Sequence, residues 1–221
     1  VEPDTLVGSL LEILSNQIVL THWGVRGTLP VSGPATLRYG GSTSCTTVEV
    51  SGEPLFVFDC GTGIKALSDY LDGSDARSLS ARIFVSHTHW DHINTLPFFS
   101  PLYAPGNDIE VLGPHQGDIT IADAVSAQMN GVYFPVTTRE FRAHVTYRNL
   151  REESLQLGPV RIDTMLLRHP GYCLGYRLAA WDRTICYVTD NELYPPSDSR
   201  HDACYLNRLV EFVRGADVLV T

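Results

Sequence analysis

Residues 82–92, from Arg82 through Ile83, Phe84, Val85 and Ser86 to His87, Thr88, His89, Trp90, Asp91 and His92, constrain this chain more than any other stretch. The first half is a short apolar run of strand composition. The second half sets three imidazoles and a carboxylate within six residues, a density that no hydrophobic core asks for. His and Asp are ligands that a zinc-like divalent ion takes. A strand that stops at Ser86 releases His87 and His89 into a loop where both can turn toward one point. Asp91 and His92 then fall at a helix start and face a second point, so the pattern His-x-His-x-Asp-His reads as two adjacent metals more naturally than as one. The competing reading is a polar loop whose histidines cap the helix and bond to backbone. A single histidine is usually structural, whereas this density of ligands rarely is.

With 221 residues, 43% hydrophobic and 19% charged, the chain suffices for one substantial core and is short for two. Behind a cap at Asp4, the spacing of Leu6, Val7, Leu10, Leu11, Ile13 and Leu14 predicts a helix within residues 1–17. It would serve as the tail of a linker, as a homodimer contact, or as a helix packed on the protein's own body. The domain itself is expected over 18–221. No apolar run approaches the roughly 20 residues of a membrane span, and the start lacks a basic-then-apolar layout, so a soluble cytoplasmic protein is expected. The five cysteines are odd in number, scattered and free of any C-x-x-C pair, which reads as small buried hydrophobes in a reducing compartment. Cys60 and Cys186, near Asp59 and Asp190 in sequence, are the two that come closest to the candidate ligands. A net charge of −9, with Lys65 as the single lysine and the arginines dispersed, argues against a long nucleic-acid substrate. It does not argue against a small phosphate ester, for which metals supply the positive charge.

Strands are predicted at Ile18–Leu20, Thr46–Val50, Leu55–Phe58, Ile109–Leu112, Val160–Leu167, Leu174–Ala179, Thr184–Val188 and Val218–Val220. Helices are predicted at Ile64–Leu71, along the apolar stretch Ile93–Tyr103 with Pro97 in its first turns, behind a cap at Asp118, and near Asp202–Arg214. Gly131–Phe141 is irregular and aromatic, either a lid over a ligand or a loop anchor. Strands alternating with helices and hairpins fit an α/β layered sandwich. Asp59, His87, His169 and Asp190 each lie just past a strand, and strand ends in such a fold converge on one edge. His22, His115, His144 and His201 lie outside any ligand spacing and read as surface or structural histidines, His144 being the one of the four that the fold has to place.

The cluster from His87 to His92 after an apolar strand resembles the signature of the metallo-β-lactamase-fold hydrolases. Phe58-Asp59-Cys60-Gly61-Thr62-Gly63, His169-Pro170-Gly171, Tyr187-Val188-Thr189-Asp190, Trp23 to Thr28 and Arg38-Tyr39-Gly40-Gly41 agree with it. The likeness is closest to the phosphodiesterase-like branch that contains ribonuclease Z and the cyclic-phosphate and cyclic-nucleotide phosphodiesterases. It implies a four-layer αβ/βα sandwich and two divalent metal ions, zinc first, with manganese or iron also accepted. His87, His89 and His169 would hold one ion and Asp91 and His92 the other, with Asp190 bridging them. Asp59 would lie beneath and bond to a ligand histidine, although locally it reads nearly as well as the start of the Gly61-Thr62-Gly63 turn. A zinc-type ion lowers the pKa of its water to about 7, so hydroxide would be the nucleophile, with catalytic Asp91 holding or taking the water's proton.

The activity so implied is hydrolysis of a small phosphodiester, cyclic ones included. The alternatives are a ribonuclease Z-like nuclease, a lactone or thioester hydrolase, and a non-catalytic sensory module that binds a metal and a nucleotide. An iron-dependent oxidoreductase of this fold would carry Glu at the position of His89. Three departures stand out. The branch continues past the strand matching Val218–Val220 to a further histidine that completes the second metal, so the resemblance implies either a C-terminal part lying beyond Thr221 or an incomplete second site. Ser42 stands where Asn is common. Tyr172 stands where a further Gly is common, and a tyrosine there would narrow the pocket, stack on a base or simply pack.

Overall fold

Alternation of side chains across each strand sorts this chain into layers. In the computed structural model, which describes residues 16–73 and 78–221, Phe56, Phe58, Phe84 and Leu112 point to one side of a sheet and Val57, Ile83, Val85 and Val111 to the other. That sheet has six strands in sequential order: β1 (Ile18–Gly24), β2 (Cys45–Val50), β3 (Leu55–Phe58), β4 (Ser80–Phe84), β5 (Asp108–Pro114) and β6 (His144–Leu150). The first three pair antiparallel and β3 through β6 pair parallel. A second sheet runs β11 (Val218–Val220), β10 (Arg183–Tyr187), β9 (Cys173–Ala180), β8 (Val160–Leu167) and β7 (Ser154–Leu157).

The inner faces of the two sheets share one core, where Phe56, Phe58 and Phe84 meet Tyr176, Leu178 and Tyr187. The outer face of the first sheet is covered by α1 (Ile64–Asp72), α2 (Trp90–Ile93) and α3 (Ile121–Gln128), with Ile64, Leu67, Ile93, Ile121 and Val125 in a second cluster. The second sheet carries α4 (Ala203–Val213), whose Leu209 packs on Met165, Leu167 and Cys186. Helix, sheet, sheet and helix make the αβ/βα sandwich that the motifs imply. Among the described residues no helix is long and apolar enough to cross a membrane. The helix expected within residues 1–17 lies almost wholly outside the described residues.

Three local expectations differ. The stretch Ile93–Tyr103 is not one helix: α2 ends at Ile93, and two 3-10 turns follow at Leu96–Phe98 and Ser100–Tyr103. Pro97 and Pro101 each open a new turn because a proline lacks the N–H that would continue the previous one. Helix α3 is capped by Thr120, which exchanges hydrogen bonds with Asp123, and not by Asp118. Gln116 and Ile119 exchange backbone hydrogen bonds, so Asp118 falls inside that turn. Strands β6 and β7, unforeseen from sequence, complete the two sheets. Strand β6 places His144 beside Asp108, at the opposite end of the sheet from the His87 loop, where the two are hydrogen-bonded at 2.7 Å on the surface.

The edge that bears the loops is welded by main chain. A Cβ on Gly61 would lie 2.1 Å from the Asp91 carbonyl oxygen and 2.4 Å from Thr43 Oγ1, and one on Gly63 would lie 2.6 Å from the Gly24 nitrogen. Only hydrogen fits at these points. The Cys60 amide donates to the His92 carbonyl (2.6 Å) and the Gly61 amide to the Ser44 carbonyl (2.9 Å). The Asp59–Gly63 loop is therefore a spacer between the His87–His92 segment and the end of β1. Gly61→Ala is expected to destabilise the protein by roughly 1–3 kcal/mol through overpacking against backbone that cannot step aside. A denaturant unfolding midpoint equal to wild type would contradict this.

Candidate metal centre

Two neighbouring parallel strands start the site. Phe58 of β3 pairs with Phe84 of β4, so Asp59 and Val85 leave the sheet together. Asp59 turns sharply, with φ of +62°, a left-handed conformation that Asp tolerates better than most residues. Its side chain has no exposure to solvent, and four donors reach it. The Ser86 amide gives to Oδ1 at 2.6 Å. Ser86 Oγ (2.8 Å), His92 Nδ1 (2.7 Å) and Tyr187 Oη (2.9 Å) all reach Oδ2. A buried carboxylate needs such a set, since an unpaired one would be very costly.

This arrangement orients two imidazoles. His92 donates its Nδ1 proton to Asp59, which turns Nε2 outward. Ser86 Oγ, having given its proton to Asp59, accepts from His87 Nδ1 at 3.1 Å, and His87 Nε2 is likewise turned outward. Sequence alone leaves Asp59 as either a support for a ligand histidine or a turn starter; in the structure it both bonds to His92 and opens the turn.

Three ring nitrogens then meet. His87 Nε2 lies 3.0 Å from His89 Nδ1, and His89 Nδ1 lies 3.0 Å from His169 Nε2. A single ring nitrogen offers one proton or one lone pair, so His89 Nδ1 cannot satisfy both neighbours by hydrogen bonding. Three nitrogens on a tetrahedral zinc-like ion, each with bonds of 2.0–2.1 Å, would stand about 3.3 Å apart. The donors present fit such an ion.

Beside this group, His92 Nε2 lies 2.7 Å from Asp190 Oδ2 and 3.4 Å from Asp91 Oδ2, and Asp190 Oδ2 is 3.5 Å from His87 Nε2. His87, His92 and Asp190 therefore form a second group of the size a cation needs, and His87 belongs to both. Burial pushes the His92 imidazole down, but the carboxylates of Asp59, Asp190 and Asp91 more than offset it and raise its pKa to about 10. His87 is lowered to about 4, chiefly by burial and next by the neighbouring His92. The hydrogen bond from His92 lowers Asp190 to about 2, against the effect of its burial. Around one imidazole the site thus gathers enough negative charge to hold a cation. The Asp91 carboxylate is fixed from the other side by the Thr28 amide, 2.7 Å from Oδ2.

Every residue singled out from sequence, Asp59, His87, His89, Asp91, His92, His169 and Asp190, comes to this one edge, drawn from both sheets. Backbone bonds link the halves: the Leu174 amide donates to the Ser86 carbonyl (2.8 Å) and Tyr176 Oη to the Val85 carbonyl (2.6 Å). The two ligand-bearing loops of the second sheet are also tied to each other. The Arg168 amide donates to Tyr205 Oη (3.0 Å), Tyr205 Oη donates to Asn191, and the Glu192 amide donates to the Arg168 carbonyl (2.8 Å). One tyrosine of α4 therefore spans the residue before His169 and the residue after Asp190.

Sequence reasoning misses Ser86, Thr28, Tyr187 and Tyr205. Of these Ser86, Thr28 and Tyr187 lie within the motifs quoted from sequence, though without a role assigned there, and Tyr205 carries no such signal. Of the cysteines, Cys173 and not Cys60 or Cys186 approaches a candidate ligand, with Sγ 3.7 Å from His87 Nδ1; burial pushes its thiol pKa well up, so it contacts the ring as a neutral group. Among the described residues the cysteines are free thiols, four of them buried.

The family model for the beta-lactamase superfamily domain matches residues 55–221. The chain belongs to the beta-lactamase superfamily. A ribonuclease Z from Prochlorococcus marinus subsp. pastoris is 26% identical over 155 residues, which make up 69% of this chain and 48% of that enzyme. The chain spans about half the length of the curated relatives it matches. Among solved structures, the metallo-beta-lactamase fold protein YhfI from Bacillus subtilis aligns with a TM-score of 0.63 at 21% identity, covering 92% of this chain and 70% of YhfI. The short form of human tRNase Z aligns with a TM-score of 0.58 at 20% identity, covering 92% of this chain and 76% of that one. At such identities the likeness is one of fold. The metallo-β-lactamase fold, with a His/Asp cluster at its edge, implies divalent metal binding.

Asp59→Asn turns an amide NH₂ toward donors and removes the charge that fixes His92. Zinc affinity is expected to fall about 10–100-fold while the fold is kept. Competition against a chromophoric chelator, with circular dichroism in parallel, checks this.

Proposed function

We propose that the chain is a hydrolase that cleaves small phosphodiesters, cyclic ones included, with one divalent ion held by His87, His89 and His169, a second by Asp91 and His92, and Asp190 shared between them. The observation that supports it most is the pair of ligand groups meeting at His87, in a chain of this superfamily. Zinc suits the nitrogen-rich group, and manganese or iron would be accepted by the same donors. Ions held there would lend positive charge to the phosphoryl and leaving oxygens and would acidify water.

The chain's own part is to orient and to move a proton. Asp91 Oδ2 is occupied by the Thr28 amide, which leaves Oδ1 to take a proton from the attacking water. As the water oxygen bonds to phosphorus, the bond from phosphorus to the leaving oxygen breaks, and solvent reprotonates that oxygen. His87 and His92, their Nδ1 atoms engaged with Ser86 and Asp59, keep Nε2 directed at the reacting centre.

Charge supports a small substrate. Of fifteen arginines, Arg82, Arg148, Arg161, Arg168, Arg183, Arg200, Arg208 and Arg214 are paired with carboxylates, and Lys65 pairs with Asp69. More than half of the cationic side chains are thus engaged by carboxylates and the net charge is −9, which disfavours tracking a long polyanion. A nuclease resembling ribonuclease Z is the second reading, favoured by the sequence relatives alone.

Full-length protein loaded with zinc or manganese is expected to hydrolyse bis(p-nitrophenyl) phosphate. Chelation should abolish turnover, and Asp91→Ala should lower kcat by about 10²–10⁴-fold. No turnover by loaded protein, or an unaffected Asp91→Ala variant, would sink the reading. Cleavage of a precursor tRNA in preference to the small diester would transfer it to the nuclease.

A further inference from the structure

The loop that carries His169 continues through Pro170 and Gly171 to Tyr172, and returns to the core at Cys173 against His87. It is fastened without using the Tyr172 side chain. Gln116 holds the Tyr172 backbone from both ends of its amide: Nε2 donates to the Tyr172 carbonyl (2.9 Å), and the Tyr172 N–H donates to Oε1 (3.0 Å). Gly171 turns at φ of +84°, and a Cβ there would lie 3.0 Å from that same Oε1. The Tyr172 ring stacks on His115, with centroids 5.2 Å apart and planes 29° from parallel. His115 is fixed in turn, its Nδ1 donating to the Gly117 carbonyl at 2.9 Å. Yet 45% of Tyr172 remains exposed.

A rigid aromatic surface left open to water, three residues from a metal-ligand candidate, is suited to receive another flat ring. Stacking on a ring already held in place costs the protein no ordering entropy, and every nucleobase has a π-face to offer. Three residues of chain reach about 10 Å at most, a span that a single nucleotide covers between its phosphate and its base. The net charge of −9 disfavours a long strand more than it disfavours one nucleoside unit.

We propose that Tyr172, backed by His115, is a nucleobase-stacking platform that selects nucleoside-bearing diesters. This rests on the phosphodiesterase reading for its reacting phosphate but has its own readout. Zinc-loaded protein is titrated by calorimetry with uridine 5′-monophosphate and with ribose 5-phosphate, probes that differ only by the base. Wild type should bind the nucleotide about fivefold or more tightly. Tyr172→Ala should bring the ratio of the two dissociation constants close to one, and Tyr172→Phe, which keeps the ring, should preserve it. Equal affinities in wild type, or a ratio unchanged in Tyr172→Ala, would overturn the platform. So would a ratio lost in Tyr172→Phe as fully as in Tyr172→Ala. A preserved preference in protein that hydrolyses no diester would leave the platform standing and remove the phosphodiesterase reading. Turnover of bis(p-nitrophenyl) phosphate without any base preference would do the reverse.

Discussion

The buried carboxylate of Asp59 is the interaction on which the site depends. It lies at the end of β3 with no exposure to solvent and takes donors from Ser86, His92 and Tyr187. Those donors belong to the Ser86–His92 segment that follows β4 of the first sheet and to β10 of the second. One buried charge thus fixes the tautomers of two imidazoles and joins the halves of the sandwich. A buried charge this well supplied contributes more to uniqueness of geometry than to stability, since its desolvation offsets much of what its hydrogen bonds contribute.

Most of this site is legible in the sequence because metal ligands are chemically conspicuous. His87, His89, Asp91 and His92 crowd a few positions that no core would fill with such groups, and His169 and Asp190 follow apolar runs whose ends converge. The supports are less visible because they are ordinary residues made important by tertiary contact. Ser86 acts by accepting a hydrogen bond from His87 while donating one to Asp59, and Tyr205 by reaching from α4 to two loops, neither of which has a local pattern. Strands β6 and β7 escape for a different reason. Their exposed faces are polar, so the apolar run that marks β3 or β8 is missing, and only pairing with β5 and β8 gives them away. Pro97 and Pro101 show the converse, an apolar spacing of helical type that the backbone cannot follow.

The rim obeys other rules than the centre. Around the ligands the chain is held by buried charge and by glycines that admit no side chain. Farther out, exposed aromatics stand at the rim, Trp90 at the start of α2 with 81% exposure and Tyr172 on a loop that Gln116 pins. Such a division lets the chemistry at the centre stay fixed while the surface that meets a substrate varies from one relative to another.

The proposed ligands are divided between the sheets, with His87, His89, Asp91 and His92 following strands of the first and His169 and Asp190 strands of the second. That division orders events in time. A chain emerging from the ribosome exposes four of the six groups long before Asp190 exists, so a cation met early finds imidazoles without their closing carboxylate. Firm capture of an ion by this set would have to wait until the second sheet has docked, and such an ion would act as a clasp between two layers that otherwise meet through apolar contacts and a few hydrogen bonds.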